Sequence, residues 1–305
     1  MSDIEKQEII KILLKDRTTK KNIIWGTEHY EKKGNGYGRD QEIKKQYLSA
    51  IKPRSKKSKR EQLIRSKDNA EVFTPTWIIN KQNNLVDDAW FEQKGTFNKE
   101  NQDNSWAKSD KIIFNNSHKW QDYIKSIRLE MCCGEAPYIA NIYDSVSGER
   151  IPLLERIGIL DRKFRVLSEN ANTSEEWLDY SKTAIKSTYG FEFQGDNLYI
   201  ARTNLLESYK EYYKSKFDTD APHELLLEIA EIISWNIWQM DGLKLVVPYS
   251  CHVEQELKLD LWGNSENEEQ KCPGCENDTL KNHNGIKCVI MDWDTNRKVK
   301  YENLL

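Results

Sequence analysis

Residues 189–206 read YGFEFQGDNLYIARTNLL. Gly190 stops a preceding helical pattern, and Phe191–Phe193 is short, aromatic and strand-like. Asp196 or Asn197 then caps a new helix, whose inner face carries Leu198, Ala201, Leu205 and Tyr209 at helical spacing. Upstream, Thr173 and Glu176 form a Thr-x-x-Glu capping pattern that opens a helix running to about residue 187. Downstream, Asp220 and Pro222 start another helix, lined by Leu225, Leu226, Ile229 and Ile233. Residues 126–132 predict a first strand, and further short strands are expected near 236–240, 244–249 and 287–292. Strands alternating with helices predict an α/β fold with a parallel, Rossmann-like sheet from residue 119 onward.

The flanking regions read differently. Residues 1–16 predict an amphipathic helix with Ile4, Ile9, Ile12 and Leu13 on one side. The glycines of residues 34–38 (GNGYG) do not follow a strand, so they predict a turn and not a phosphate loop. A helix is expected over 40–51, and residues 82–118 predict a long ordered loop anchored by Trp90 and Trp106. The sequence therefore divides into a basic, mainly helical region over 1–68 and an α/β domain over 69–305.

With 305 residues, 38% of them hydrophobic, and 10 Trp, 14 Tyr and 8 Phe, the chain can build a core. No apolar run is long enough for a membrane helix, and the start is too charged for a signal peptide. A cytoplasmic location is expected. The net charge of −3 hides an asymmetry. Residues 1–67 hold 19 Lys/Arg against 9 Asp/Glu, and the remainder holds 27 against 40. The densest stretch is 52–67, where Arg54, Lys56, Lys57, Lys59 and Arg60 form a block suited to phosphates. DNA is the expected partner.

Open parallel sheets bind ligands beyond the carboxyl ends of their strands. Three acids fall at such ends: Glu130 in LEMCCGEA, Glu192 after Phe191, and Asp241 in NIWQMDG. Together they describe an adenosine-type pocket. Asn69-Ala70-Glu71-Val72-Phe73-Thr74-Pro75 resembles the Phe/Tyr-Thr-Pro motif of the N6-adenine DNA methyltransferases of restriction–modification systems. The resemblance is to the short proteins of that family called restriction endonuclease subunit M. It extends through TPTWIINKQNN, LEMCCGEAP, YGFEFQGDNLYIARTNLL and SWNIWQMDGLK. It implies a class I methyltransferase sheet and S-adenosylmethionine as cofactor. Phe73, Thr74 and Pro75 would then pack near the methionine end. Glu130, Cys132 and Gly134 would line the methionine pocket, Glu192 would hold the ribose, and Asp241 beside Gly242 would read the adenine amine. The family's Asp-Pro-x-x-Gly-x-Gly loop appears here with Ala136 in place of its last glycine, followed by Pro137.

The family's catalytic Pro-Pro-aromatic motif is missing, because none of the seven prolines is adjacent to another. Two partial equivalents exist. Asp292-Trp293 follows a strand-like run and is the expected catalytic position, and Val247-Pro248-Tyr249 is the other. Only the short stretch 294–305 follows Trp293, so the sheet is expected to be incomplete, with a second subunit supplying the rest. The alternative is a non-catalytic cofactor-binding or DNA-binding subunit.

The late cysteines suggest a metal. Cys272-Pro-Gly-Cys275 has knuckle spacing, and His283 and Cys288 follow, so zinc on Cys272, Cys275, His283 and Cys288 is expected within an insertion over 263–288.

Overall fold

A computed structural model of the chain describes residues 2–69, 71–72, 74–114, 118–259 and 265–305. It shows a mixed α/β architecture with small sheets. Helix α1 (Asp3–Leu14) begins with a Ser2/Glu5 capping box. Helices α2 (Lys59–Asn69) and α3 (Thr76–Phe91) follow, then a ribbon of β1 (Asn98–Glu100) and β2 (Trp106–Lys108), then α4 (Trp120–Lys125). The central sheet takes β3 (Arg128–Met131), β4 (Thr188–Glu192) and β5 (Ile237–Gln239). Helices α5 (Ile159–Asn170) and α6 (Ser174–Lys186) connect the first two strands, and α7 (Gly195–Phe217) and α8 (His223–Asn236) connect the last two. All three strands are parallel, in chain order, with Met131 opposite Phe191 and Glu192 opposite Gln239. The chain ends with an antiparallel ribbon of β6 (Glu254–Leu259) and β7 (Ser265–Gln270), the short α9 (Pro273–Glu276), and the hairpin β8 (Val289–Asp292) and β9 (Arg297–Lys300).

Strand alternation sorts the side chains. Ile237 joins the main core with the helices, while Phe191 and Trp238 join a second cluster with Met240, Ile290 and Tyr301 of the C-terminal hairpin. Gly190 lies inside β4, not at the end of the helix before it, and its lack of a side chain fits a tight spot, since a Cβ there would sit 3.1 Å from Ile139 Cδ1 and 3.3 Å from Cys133 Sγ.

Three expectations change. Residues 40–51 form only a 3-10 turn, Lys45–Ala50. Residues 82–91 are helical, as the second half of α3. The region 1–68 does not stand apart, since Ile9, Leu13, Trp25, Tyr30 and Ile43 lie in the same core cluster as Leu205 and Ile233. Of the expected insertion, residues 263 and 264 lie outside the described residues, and its ribbon begins earlier, at Glu254. Among the described residues, no helix is long and apolar enough to cross a membrane.

Candidate functional site

A cavity of about 890 Å³ opens at the carboxyl ends of β3 and β4. Its floor is the turn after β3. Cys132, Gly134 and Ala136 all take left-handed backbone, with φ of 53°, 56° and 60°. Ala136 thus adopts the conformation glycine reaches most easily, so this turn keeps its curvature without the glycine. Cys133 N–H donates to Phe191 O at 2.8 Å, pinning the turn to β4.

The walls are acidic. Glu192 is buried, and its two carboxylate oxygens accept from Gly134 N at 2.8 Å and Gln194 N at 2.9 Å. Burial nevertheless pushes it up to about 7. Glu130 Oε2 is closed off from solvent and has no hydrogen-bond partner among the described residues. Burial, then the neighbouring Glu192, holds Glu130 well above the usual carboxylate range. Glu71 is the third acid, fixed by Arg65 Nε, with its Oε1 unpartnered among the described residues. Asn197 Nδ2 also reaches Glu71, at 3.3 Å. Three acids, Glu71, Glu130 and Glu192, therefore line the cavity, which suits a ligand rich in donors and positive charge.

Of the expected cofactor residues, the cavity gathers Thr74, Glu130, Cys132, Gly134 and Glu192. Phe73 lies outside the described residues. Pro75 is the N-cap of α3. Asp241 lies two residues beyond β5 and is not among the lining residues; its Oδ1 accepts from Leu243 N at 3.0 Å and closes a turn. Gly242 serves packing, since a Cβ there would meet the Phe191 ring at 2.7 Å. Glu71, Gln194 and Asn197 line the site without having been expected. Glu71 carries a signal in hindsight: it stands just upstream of Phe73 in the motif stretch.

The expected catalytic pair is not at this site. Strand β8 runs back along the sheet: Cys288 Sγ contacts Gln239 O at 3.5 Å at the carboxyl end of β5. Tyr189 OH then donates to Met291 O at 3.2 Å, and Trp293 Nε1 donates to Asn236 Oδ1 at 2.7 Å at the amino end. The antiparallel course thus delivers Asp292 and Trp293 to the edge opposite the cavity. Asp292 closes its own turn, accepting from Thr295 Oγ1 at 2.7 Å. Tyr249 of Val247-Pro248-Tyr249 does line the cavity, edge-on to Phe193 with ring centres 5.5 Å apart and with Arg39 4.9 Å from its ring.

The basic block is split. Lys56, Lys59 and Arg60 are exposed, whereas Lys57 is buried with its Nζ 3.6 Å from Asp196, so it is not available to a phosphate. Arg54 is partly buried and donates to Glu71 O at 3.1 Å.

The late cysteines form a second cluster. Cys251, Cys272, Cys275 and His283 place one ligand atom each within 4.8 Å of one another. Cys288 is not among them: it is buried in the apolar cluster under the C-terminal hairpin. Sequence spacing missed Cys251 because a long ribbon separates it from Cys272.

No protein-family model, curated protein or solved structure matches the chain.

Proposed function

We propose that the chain is an S-adenosylmethionine-binding protein of the DNA adenine-N6 methyltransferase type, built on one half of a Rossmann-like sheet. The observation that carries this reading is the cavity at the carboxyl ends of β3 and β4, lined by Glu71, Glu130 and Glu192. The cofactor presents an ammonium, a sulfonium and ribose hydroxyls, and carboxylates accept from or neutralise each of these. Glu130, giving up its proton on binding, and Glu71 would meet the cationic groups, and Glu192 the hydroxyls. Lys67 at the rim would face the cofactor's carboxylate. When bound, the cofactor would supply an activated methyl group. Tyr249, which lines the cavity, would stack on a base brought to it.

A second reading, a cofactor-binding subunit without methyl transfer, is favoured by one observation. The Asp292-Trp293 pair sits at the opposite edge of the sheet, and no Pro-Pro pair exists to replace it.

Calorimetric titration with S-adenosylmethionine tests both readings. The protein should bind one equivalent, and Glu130→Gln should weaken binding by about ten- to a hundredfold, the worth of a hydrogen bond to a charged group. Trp293→Phe should leave affinity unchanged. No binding by the unaltered protein would sink both readings. Transfer of labelled methyl to duplex DNA separates them. If transfer occurs, Tyr249→Ala should remove it and Tyr249→Phe should retain it.

A further inference from the structure

We propose that Cys251, Cys272, Cys275 and His283 form a structural zinc site in which His283 coordinates through Nδ1. Zinc–sulfur bonds of about 2.3 Å and zinc–nitrogen bonds of about 2.0–2.1 Å at tetrahedral angles put sulfur and nitrogen about 3.6 Å apart. His283 Nδ1 stands 3.7 Å from Cys251 Sγ, 3.5 Å from Cys272 Sγ and 3.6 Å from Cys275 Sγ. One nitrogen facing three sulfurs at this spacing matches a Cys₃His sphere, and hydrogen bonding alone does not call for three thiols around one acceptor.

The surroundings are those of a metal ligand set. His283 Nε2 lies 2.7 Å from Thr279 O, so it carries the proton and leaves the Nδ1 lone pair aimed at the thiols. Asn284 N–H donates to Cys272 Sγ at 3.3 Å, which supports thiolate character. Gly274 is required between the paired cysteines, since a Cβ there would sit 2.6 Å from His283 Nδ1. Three thiolates and zinc leave one net negative charge, and the positive charge of Lys244 lies near Cys275.

Four protein ligands leave no open position, so the zinc is a clasp and not a reaction centre. It ties two segments together. Cys251 comes from the strand-end loop just after Tyr249, and the other ligands come from residues 272–283. The same segments are already stitched by Asn284 Nδ2 donating to His252 O at 2.8 Å and Ile286 N donating to Ser250 Oγ at 2.9 Å. The clasp therefore steadies the Tyr249 wall of the cavity.

Elemental analysis of full-length protein, purified without chelator, tests the site. One zinc per chain is expected, and cobalt(II) exchanged into it should show the visible bands of a tetrahedral thiolate site. Cys251→Ser and Cys275→Ser should lose at least about ten times in zinc affinity. Cys288→Ala should keep full zinc, and His283→Cys should keep it too, because Cys₄ is an equally good set. Zinc lost on Cys288→Ala in folded protein, but retained on Cys251→Ser, would overturn the assignment. So would metal-free protein that takes up neither zinc nor cobalt while all six thiols titrate as reduced.

Discussion

Glu192 shows how one residue couples the fold to a ligand. Burial is the largest influence on it and pushes it up to about 7, although N–H donors from Gln194 and Gly134 pull the other way. A carboxyl that keeps its proton to about 7 in the fold, but only to about 4.5 when unfolded, binds more protons in the native state between those values. Its contribution to stability is therefore full below about 4.5 and is lost as pH rises to about 7. Glu130, also raised by burial and by Glu192, acts in the same direction. The melting temperature should fall as pH is raised from about 5 to about 8. Glu192→Gln should flatten that fall while lowering stability at every pH, because a single amide oxygen cannot accept from both N–H groups. Melting curves across the range check this, and an unchanged slope would show that Glu192 is ionised throughout.

Helix α3 shows what periodicity leaves unread at the scale of an element. Its buried stripe includes Asn80, Asn83, Asn84 and Asp87, residue types that normally mark a solvated face. Arg162 of α5 makes that stripe viable. Its guanidinium donates to Asp87 Oδ2 at 2.7 Å, Asn80 Oδ1 at 2.9 Å and Asn84 Oδ1 at 2.8 Å, and Nε donates to Ile157 O at 3.0 Å. Removing one partner of such a network strands the others, so Arg162→Ala should cost about 3–5 kcal/mol in urea unfolding. The conservative Arg162→Lys should recover only part of this, lacking the planar fork. The elements that were legible are those whose apolar face repeats at 3.6 or that are short apolar runs: α1, α6, α7, α8, β3, β4 and β5. The loop predicted over 82–118 failed at its start because its buried face is polar and its partner, Arg162, lies far along the chain. The parallel course predicted for 287–292 failed for a related reason. Strand direction depends on the preceding connection, and the one before β8 contains the ribbon and the cysteine cluster. For the site, acids at strand ends and the Val247-Pro248-Tyr249 stretch were readable as pattern, whereas Cys251 reaches its place only through tertiary contacts.

At the scale of the whole molecule, the positive segment 1–67 and the negative remainder partly neutralise each other inside the fold. Arg65 pairs with Glu71 and Asp196, Arg17 with Glu231, and Lys57 sits against Asp196. Charge that reads as a nucleic-acid arm is thus partly internal cement. The exposed remainder, Lys56, Lys59 and Arg60, lies at and just before the start of α2, whose last turns reach the cavity rim at Lys67 and Asp68. That placement would let a duplex held by these residues present a base to the cavity. Changing Lys56, Lys59 and Arg60 together to Gln should weaken duplex DNA binding without lowering the melting temperature, since all three are exposed. Three lost phosphate contacts should also reduce the slope of log affinity against log salt by about 2–3. Lys57→Gln should do the reverse, lowering the melting temperature and leaving the salt slope intact. Equal slopes for the triple variant and the unaltered protein would show that Lys56, Lys59 and Arg60 hold no phosphates.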